Sequence, residues 1–476
     1  MKFTILSVFI LLLVRPVLSQ SVGIGTATPH TSAVLDVQST NKGLAIPSMT
    51  TTQRTGIGSP KPGLLVFDID KNTIYMHDGT QWLALLFTAS SSQLPPIVRV
   101  PSDTEIGDQF GFSVSINSSY AVIGAPFDNV GGNTNQGCAY IFYRNGSAWT
   151  EQAKLVAPNG SANDNFGRSV SISGNYVIVG ALNDQTSVPT GGSAYIFLRS
   201  GVTWSEQAKL VPSNPANGDQ FGSSVAIDGT YAVVGALSDD VGANVNEGSA
   251  YFFHRIGTSW VQEDQVVAPF GAAQDRFGTS VSISGDIAVI GAPLDDVGAT
   301  ADQGSAHVYL RSGTNWDYHA ALADPFPADG NHFGESVDID GNYIVVGVPY
   351  SSSYAGSRAH IFLRNGPTWD MQFTLHANPV INSAPVNLFG ISVSIDGDYV
   401  IIGSSEALVG EGIDQGASYV FKRDGVEWIF VKRIYDPAGE PNEHMGNGVG
   451  VSGQNTITGA PDANVHRGRI FFFNLE

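Results

Sequence analysis

Acidic and amide side chains recur along this chain in short polar stretches about 56 residues apart. Asp128-Asn129, Asp184, Asp239-Asp240 and Asp295-Asp296 open four of them. Asn244, Asn246 and Glu247 follow in the third stretch, Asp302 in the fourth, and Glu406, Glu411 and Asp414 stand in the sixth. Oxygen donors at that density could hold a cation, or meet a basic or hydroxyl-rich ligand. A second set stands two residues before each recurring Phe-Gly pair: Asp108, Asp164, Asp219, Asp275, Asn331, Asn387 and Glu443. Between that residue and the Phe comes a variable one: Gln109, Asn165, Gln220, Arg276, His332, Leu388 or His444. Two histidines could serve as acid and base or ligate a metal. The competing reading is solvated loop polarity, with Asp side chains capping turns. The expected ligand-binding set is Asp128, Asp184, Asp239, Asp240, Asn244, Glu247, Asp295, Asp296, Asp302, Arg276, His332 and His444.

Other chemistry is faint. There is no HExxH, GxSxG or phosphate-binding glycine loop, and no cysteine pair. The single Cys138 falls where other repeats have Ser193, Ser249 and Ser305, so a small buried residue is expected rather than a nucleophile. Trp149, Trp204, Trp260, Trp316, Trp369 and Trp428 recur in phase with the repeat, as packing anchors would, although sugar stacking is the functional alternative. Asp68-Ile69-Asp70-Lys71-Asn72 begins like a calcium loop but has Thr73 at its sixth position and Gly79 at its twelfth, so it reads as a hairpin.

Elements that could position these loops follow from the repeat itself. Phe110-Gly111, Phe166-Gly167, Phe221-Gly222, Phe277-Gly278, Phe333-Gly334 and Phe389-Gly390 keep the interval, and Met445-Gly446 extends it. Each is followed by a Gly-Ala-Pro-like marker, as at Gly124-Ala125-Pro126 and Gly291-Ala292-Pro293. Within the second unit, Ser169 to Ile172 alternates, Tyr176 to Val179 is continuously apolar, Ala194 to Leu198 is a third strand and Trp204 to Val211 a fourth. The turn between the first two strands is tight (Ser173-Gly174-Asn175), whereas the stretch between the second and third is long and polar. The long stretches and the connections into Phe-Gly should emerge on one side, and the tight turns on the other. The seventh unit stops after its third strand, Arg469 to Phe473, while Ile97-Val98-Arg99-Val100-Pro101 is an orphan resembling a fourth-strand end. The expectation is an all-β fold: a seven-bladed β-propeller of four-stranded blades over 94–476, closed by the N-terminal strand.

Phe-Gly followed by Gly-Ala-Pro in seven units resembles the FG-GAP repeat of the integrin α-chain propeller. The Gly-Ser-Ala-Tyr, Thr-Trp and Glu-Gln-Ala-Lys-Leu variants are similar to FG-GAP repeats of secreted bacterial proteins. Integrin-type repeats that bind calcium carry an Asp-x-Asp-x-Asp-Gly loop between the first two strands. The turns here, such as Asp228-Gly229-Thr230 and Ser284-Gly285-Asp286, lack it, so no cofactor is expected and calcium is left as a possibility of the family.

The N-terminal part is a small β-rich module over 20–88, followed by a linker at 89–93. Val22-Gly23-Ile24-Gly25-Thr26, Met49-Thr50, Gln53-Arg54 and Gly63 to Phe67 resemble a module of bacterial surface and fibre-like proteins, with Ser48 where Arg is usual. That resemblance implies an oligomeric stalk.

Lys2 followed by an apolar run from Phe3 to Val14 reads as a signal peptide over 1–19. No later run is apolar enough to span a membrane. With 43 Asp and Glu against 23 Lys and Arg, nucleic acid is a poor partner. These features together predict an exported, non-catalytic binding or adhesion protein, secreted or at the cell surface. Its partner would be an extracellular protein or glycan, met through the acidic loop face. A lectin with repeated sugar sites, and a polysaccharide lyase or hydrolase using His332 and His444, are the alternatives.

Overall fold

Continuous apolar runs flanked by glycine turns become strands wherever the repeat places them. In the second repeat, Phe166–Ser173, Tyr176–Ala181, Ser193–Ser200 and Thr203–Leu210 pair antiparallel in chain order. Val177, Ile178 and Val179 are fully buried, because each face of the second strand meets a neighbouring sheet. The outer strand alternates instead: Trp204 and Leu210 turn inward while Ser205 and Glu206 face solvent.

The computed structural model describes residues 22–24, 35–37, 39, 44–71, 73–85, 96–186, 188–351, 356–377, 387–409 and 414–475. The expected leader at 1–19, the linker at 89–93 and Glu411 lie outside the described residues. Two compact units divide at Leu86 and Phe87. The fold is all-β with almost no helix, and among the described residues the second unit contains seven four-stranded sheets.

The two glycine markers have one physical cause. A Cβ on Gly124 would lie 1.9 Å from the carbonyl oxygen of Gly167, the glycine of the next Phe-Gly. Gly167 itself sits at φ 95°, with the Cys138 carbonyl 2.2 Å from where its own Cβ would be. Backbone therefore meets backbone between successive repeats, and only glycine allows the approach. Ser113 fastens the contact by donating to the Gly167 oxygen at 2.9 Å, and Ser169, Ser224, Ser280, Ser336 and Ser392 repeat the bond to the following repeat's glycine. That serine, two residues past each Phe-Gly, is a third marker the sequence reading missed. Gly235→Ala should therefore cost about 3 kcal/mol, the upper range for overpacking, because its Cβ would sit 2.1 Å from the Gly278 oxygen. A chemical melt in which the variant keeps the parent's midpoint would contradict this contact.

The last sheet takes its first three strands from Val449–Ser452, Asn455–Ala460 and Arg469–Asn474, and its fourth from Ile97–Arg99. The orphan strand pairs as expected, with Phe471 opposite Val98 and Phe472 opposite Ile97. The glycine contact also recurs between the last repeat and the first: a Cβ on Gly459 would lie 2.0 Å from the Gly111 oxygen. Asn447 donates to the Phe112 carbonyl at 2.9 Å, and Trp149 stacks on Phe472 at 4.1 Å.

The first unit has a four-stranded sheet of Ser48–Met49, Leu64–Asp68, Thr73–His77 and Trp82–Leu85, with a short helix at Thr51–Thr55. A parallel pair, Val22–Ile24 with Leu35–Val37, precedes it. Asp68 accepts the backbone N–H groups of Asp70 and Lys71, so the calcium-like stretch is a hairpin turn. Arg54 is buried, donates to Asp68 at 2.9 Å and lies 3.7 Å from the centre of the Tyr75 ring. Among the described residues, the buried apolar side chains of this unit are Val66 and Tyr75, while Leu44, Ile24, Leu35 and Ile69 are exposed.

Candidate functional site

In the first four repeats the first acid of the long stretch is drawn inward by donors on the following strand. Asp128 accepts from Tyr140 at 3.0 Å and from the Cys138 thiol at 2.8 Å. Asp184 accepts from Ser193 at 2.5 Å and Tyr195 at 2.6 Å, and Asp239 from Ser249 and Tyr251. Lys154 and Lys209 close on Asp128 and Asp184 at 2.7 Å. Cys138 stands in for a serine, and burial pushes its thiol well up, which makes it a structural donor.

Repeat four breaks the pattern with His307 in the tyrosine position. It packs 5.6 Å from Phe277, where Tyr140, Tyr195 and Tyr251 sit 5.3–5.4 Å from their own Phe. Its Nε2 meets Ser305, which in turn donates to Asp295, while its buried Nδ1 has no partner. Burial lowers the His307 pKa to about 4. The folded state thus binds fewer protons than the unfolded chain between about pH 6.5 and 4, and stability is lost as pH falls through that window. His307→Tyr should remove that loss. Its advantage over the parent is expected to grow by about 2 kcal/mol between pH 7.5 and 5. Parallel denaturation curves at both pH values would show an unchanged gap if the reading is wrong.

The acids ahead of Phe-Gly are turn caps. Asp164, Asp219 and Asp275 each accept, at 2.6 Å, the backbone N–H three residues earlier. Burial pushes Asp164 and Asp275 up to about 6 against that bond, and nearby Asp184 and Asp295 push the same way. Glu247 is buried too and accepts from Asn244 at 2.6 Å. The sequence reading placed Asp128, Asp184, Asp239, Glu247 and Asp295 in the ligand-binding set of the acidic loop face, with turn capping as the competing reading. The structure corrects that: Asp128, Asp184, Asp239 and Glu247 are buried, and Asp295 is half-buried, because adjacent strands and turns supply their donors.

Repeats five and seven exchange the arrangement. Arg358 and Arg469 replace the serine, Ser351 and Ala463 replace the loop Asp, and the acid moves to Asp324 and Asp436 on the incoming connection. Arg358 pairs with Asp324, and His360 reaches the same carboxylate at 3.2 Å, with all three side chains fully buried. Burial pushes Asp324 up, but the His360 hydrogen bond and the Arg358 charge outweigh it and hold the carboxyl below its ordinary value. Arg469 bonds Asp436 at 3.0 Å and Glu443 at 2.5 Å. The signal was in the sequence, as Arg at a serine position, but it is visible only once the repeats are aligned by strand.

What remains open to solvent is a narrower set. Asp240, Asp296, Asp302 and Arg276 are exposed, while Asn244, His332 and His444 are half-buried. Asp240 and Asp296 each accept a backbone N–H six residues on, from Asn246 at 2.8 Å and Asp302 at 2.9 Å, as Asn129 does from Asn135. The variable residue before Phe-Gly is left-handed in all seven repeats, with φ between 52° and 57° from Gln109 to His444. It meets the residue after the Gly-Ala-Pro-like marker: Ser238 donates to Gln220 at 2.9 Å, and His332 lies 4.7 Å from the Tyr350 ring. His444 donates to Asp462 at 2.5 Å, and Asp462 also takes Gln109 and His466. The Asp462 hydrogen bond raises the His444 pKa against burial, with Glu406 and Asp414 adding to the rise. The two histidines thus serve different partners rather than each other. Among the described residues, no three His, Cys, Asp or Glu side chains converge on a metal position.

The side with the tight turns is clamped. Arg199, Arg255, Arg311 and Arg423 stack on the preceding repeat's Tyr120, Tyr176, Tyr231 and Tyr343 at 4.4–4.9 Å. Arg199 and Arg311 also bind Asn175 and Asp286, so those turn residues are structural. Five of the six repeating tryptophans are buried, and Trp204, Trp260 and Trp428 donate to a glutamine of the previous outer strand, as packing anchors do.

Six segments match the FG-GAP repeat: 100–142, 149–197, 204–253, 260–309, 316–362 and 382–421. They span more than half of the chain, which belongs to the FG-GAP repeat family. The second to fifth matched segments each run from the fourth strand of one sheet into the third strand of the next, and the sixth begins beyond the fourth strand at Thr368–Leu375. Residues 23–94 match a phage tail like trimerisation region. No curated protein matches the chain. Among the described residues, no helix is long and apolar enough to cross a membrane.

Proposed function

We propose that this chain is an exported, non-catalytic binding or adhesion protein. Its seven sheets would form a β-propeller closed by the strand at Ile97–Arg99, and it would recognise an extracellular protein or glycan on the face bearing the long loops. The observation that carries this reading is the seven-fold left-handed residue before Phe-Gly. Glycine would hold that backbone at lower cost, yet the chain keeps Gln, Asn, Arg, Leu and His there. A constant, mildly strained backbone presenting different side chains suits one composite site better than seven equal ones. The trimerisation-like match of the first unit supports assembly as a homo-oligomer. Three copies would then bind with avidity.

The test is an array of extracellular-matrix proteins and glycans probed with the full chain and two variants. Asp240→Asn, Asp296→Asn and Asp302→Asn together remove charge while keeping the loop acceptors, since Asn129 and Asn135 already fill two of those positions in repeat one. Asn342→Ser with Gln454→Ser is the control on the clamped side. Binding lost in the first and kept in the second supports the reading; the reverse overturns it. Calcium should not be needed for folding, so EDTA is expected to leave the melting temperature within about 2 °C. A drop well beyond that would assign the loops a structural cation.

A further inference from the structure

One aromatic ring stands almost wholly in solvent. Phe270 is 93% exposed, whereas the next most exposed large aromatic side chain among the described residues, Tyr318, is 44% exposed. Phe270 lies on the connection into Phe277-Gly278, in an Ala268-Pro269-Phe270-Gly271 turn closed by the Gly271 N–H on the Ala268 carbonyl at 3.2 Å. The turn itself does not ask for the ring. The same turn carries exposed Asn159 or Ala438 elsewhere in the chain, with the same backbone bond at 3.1 Å. Where a related connection has Phe326, that ring is drawn down against His360 at 6.2 Å and the Arg358 guanidinium at 5.6 Å, and is half-buried. Phe270 is instead held out on a fixed backbone. Pro269 presets the turn, Asn244 donates to the Gly271 carbonyl at 3.1 Å, and Glu247 packs against Gly271 too closely for a Cβ there. Further bonds tie this connection to the tip of the long loop: the Gln274 N–H donates to the Val245 carbonyl at 2.9 Å, and the Asn246 amide to Gln274 Oε1 at 3.4 Å. Val245 is exposed, as is Asp240, which accepts the Asn246 N–H at 2.8 Å.

We propose that Phe270 is the stacking platform for a neutral sugar ring, whose hydroxyls are met by Asn246 and Gln274. The proposal rests on the binding reading above and names the ligand class of that face. A pyranose has an apolar C–H face and a hydroxyl edge, so it needs a flat ring with amides beside it. Each amide nitrogen of the Asn246–Gln274 pair carries a second N–H for that edge. A protein partner would ask for more apolar surface. A stable interface takes about 800 Å² from each side, whereas a phenylalanine supplies roughly 150–250 Å². Val245 is the only other exposed large apolar side chain on 239–247 and 268–276. Acidic glycans would meet repulsion from exposed Asp240 and Asp296 and from a chain of formal net charge −20. A neutral sugar satisfies both the ring and its polar border.

The experiment is calorimetric titration of the full chain with neutral trimers of glucose, mannose, galactose and N-acetylglucosamine, alongside the galacturonate trimer and phosphatidylcholine vesicles. At least one neutral trimer is expected to bind, with the galacturonate trimer at least tenfold weaker and no binding to vesicles. Phe270→Ala should weaken that binding at least tenfold with no change in melting temperature, because the ring is almost wholly exposed. Phe270→Trp, which keeps an aromatic face, should bind at least as well as the parent. Gln274→Ala should weaken binding less, by about threefold, since Asn246 remains. If no neutral trimer binds, if the acidic trimer binds equally well, if vesicles bind through Phe270, if Phe270→Ala is without effect or if Phe270→Trp loses binding, the proposal fails. Should the array return a ligand whose binding needs Asp240, Asp296 and Asp302 but not Phe270, the face is functional and this assignment alone is wrong.

Discussion

Asp324→Asn is expected to lower stability by about 3–5 kcal/mol, because it leaves Arg358 and its charge buried without a counter-ion. His360 cannot compensate, since burial holds it neutral and it leans on the same carboxylate. The informative partner is Asp324→Ala with Ser351→Asp and Arg358→Ser. That triple change writes the arrangement of repeat four, Asp295 with Ser305 and His307, into repeat five. It should recover most of the loss, as replacing a buried ion pair by a compatible neutral set commonly does. Urea melts in which the triple variant is no better than Asp324→Asn would mean that the two arrangements are not interchangeable.

Removing residues 94–101 should cost several kcal/mol and make the chain prone to association. The deletion strips the fourth strand from Arg469–Asn474 and exposes its edge. It also removes the bond from Arg99 to the Trp149 carbonyl at 2.7 Å, which ties that strand to the first sheet. Differential scanning calorimetry of the truncated and full chains provides the check, and equal melting temperatures would mean the strand is dispensable.

The sheets, the tight turns and the pairing of the orphan strand were legible because they depend on local pattern: apolar runs of strand length, glycines at left-handed turns, and one missing strand at the chain end. Phe-Gly and Gly-Ala-Pro were legible as markers but not as a contact, since the close approach of Gly124 to Gly167 joins different repeats. The loop face was legible as a place and poorly legible as a surface. Sequence shows that Asp239 and Asp240 are adjacent acids. It does not show that Ser249 and Tyr251 draw the first inward while the second stays out. Neutralising Asp239 and Asp295 together with Asp240 and Asp296 would therefore disturb folding, and the clamped residues Asn175 and Asp286 make poor controls.

The central claim is that recognition belongs to the face of the long loops and the left-handed residues. Hydrogen–deuterium exchange with and without the strongest-binding array component tests it most directly. The account predicts slowed exchange in 129–136, 240–247 and 296–303 and around Arg276, His332 and His444, with the turns at 174–175, 229–230, 285–286 and 341–342 unchanged. Protection confined to those turns, with the loops exchanging as in the free chain, would place recognition on the opposite side and contradict it.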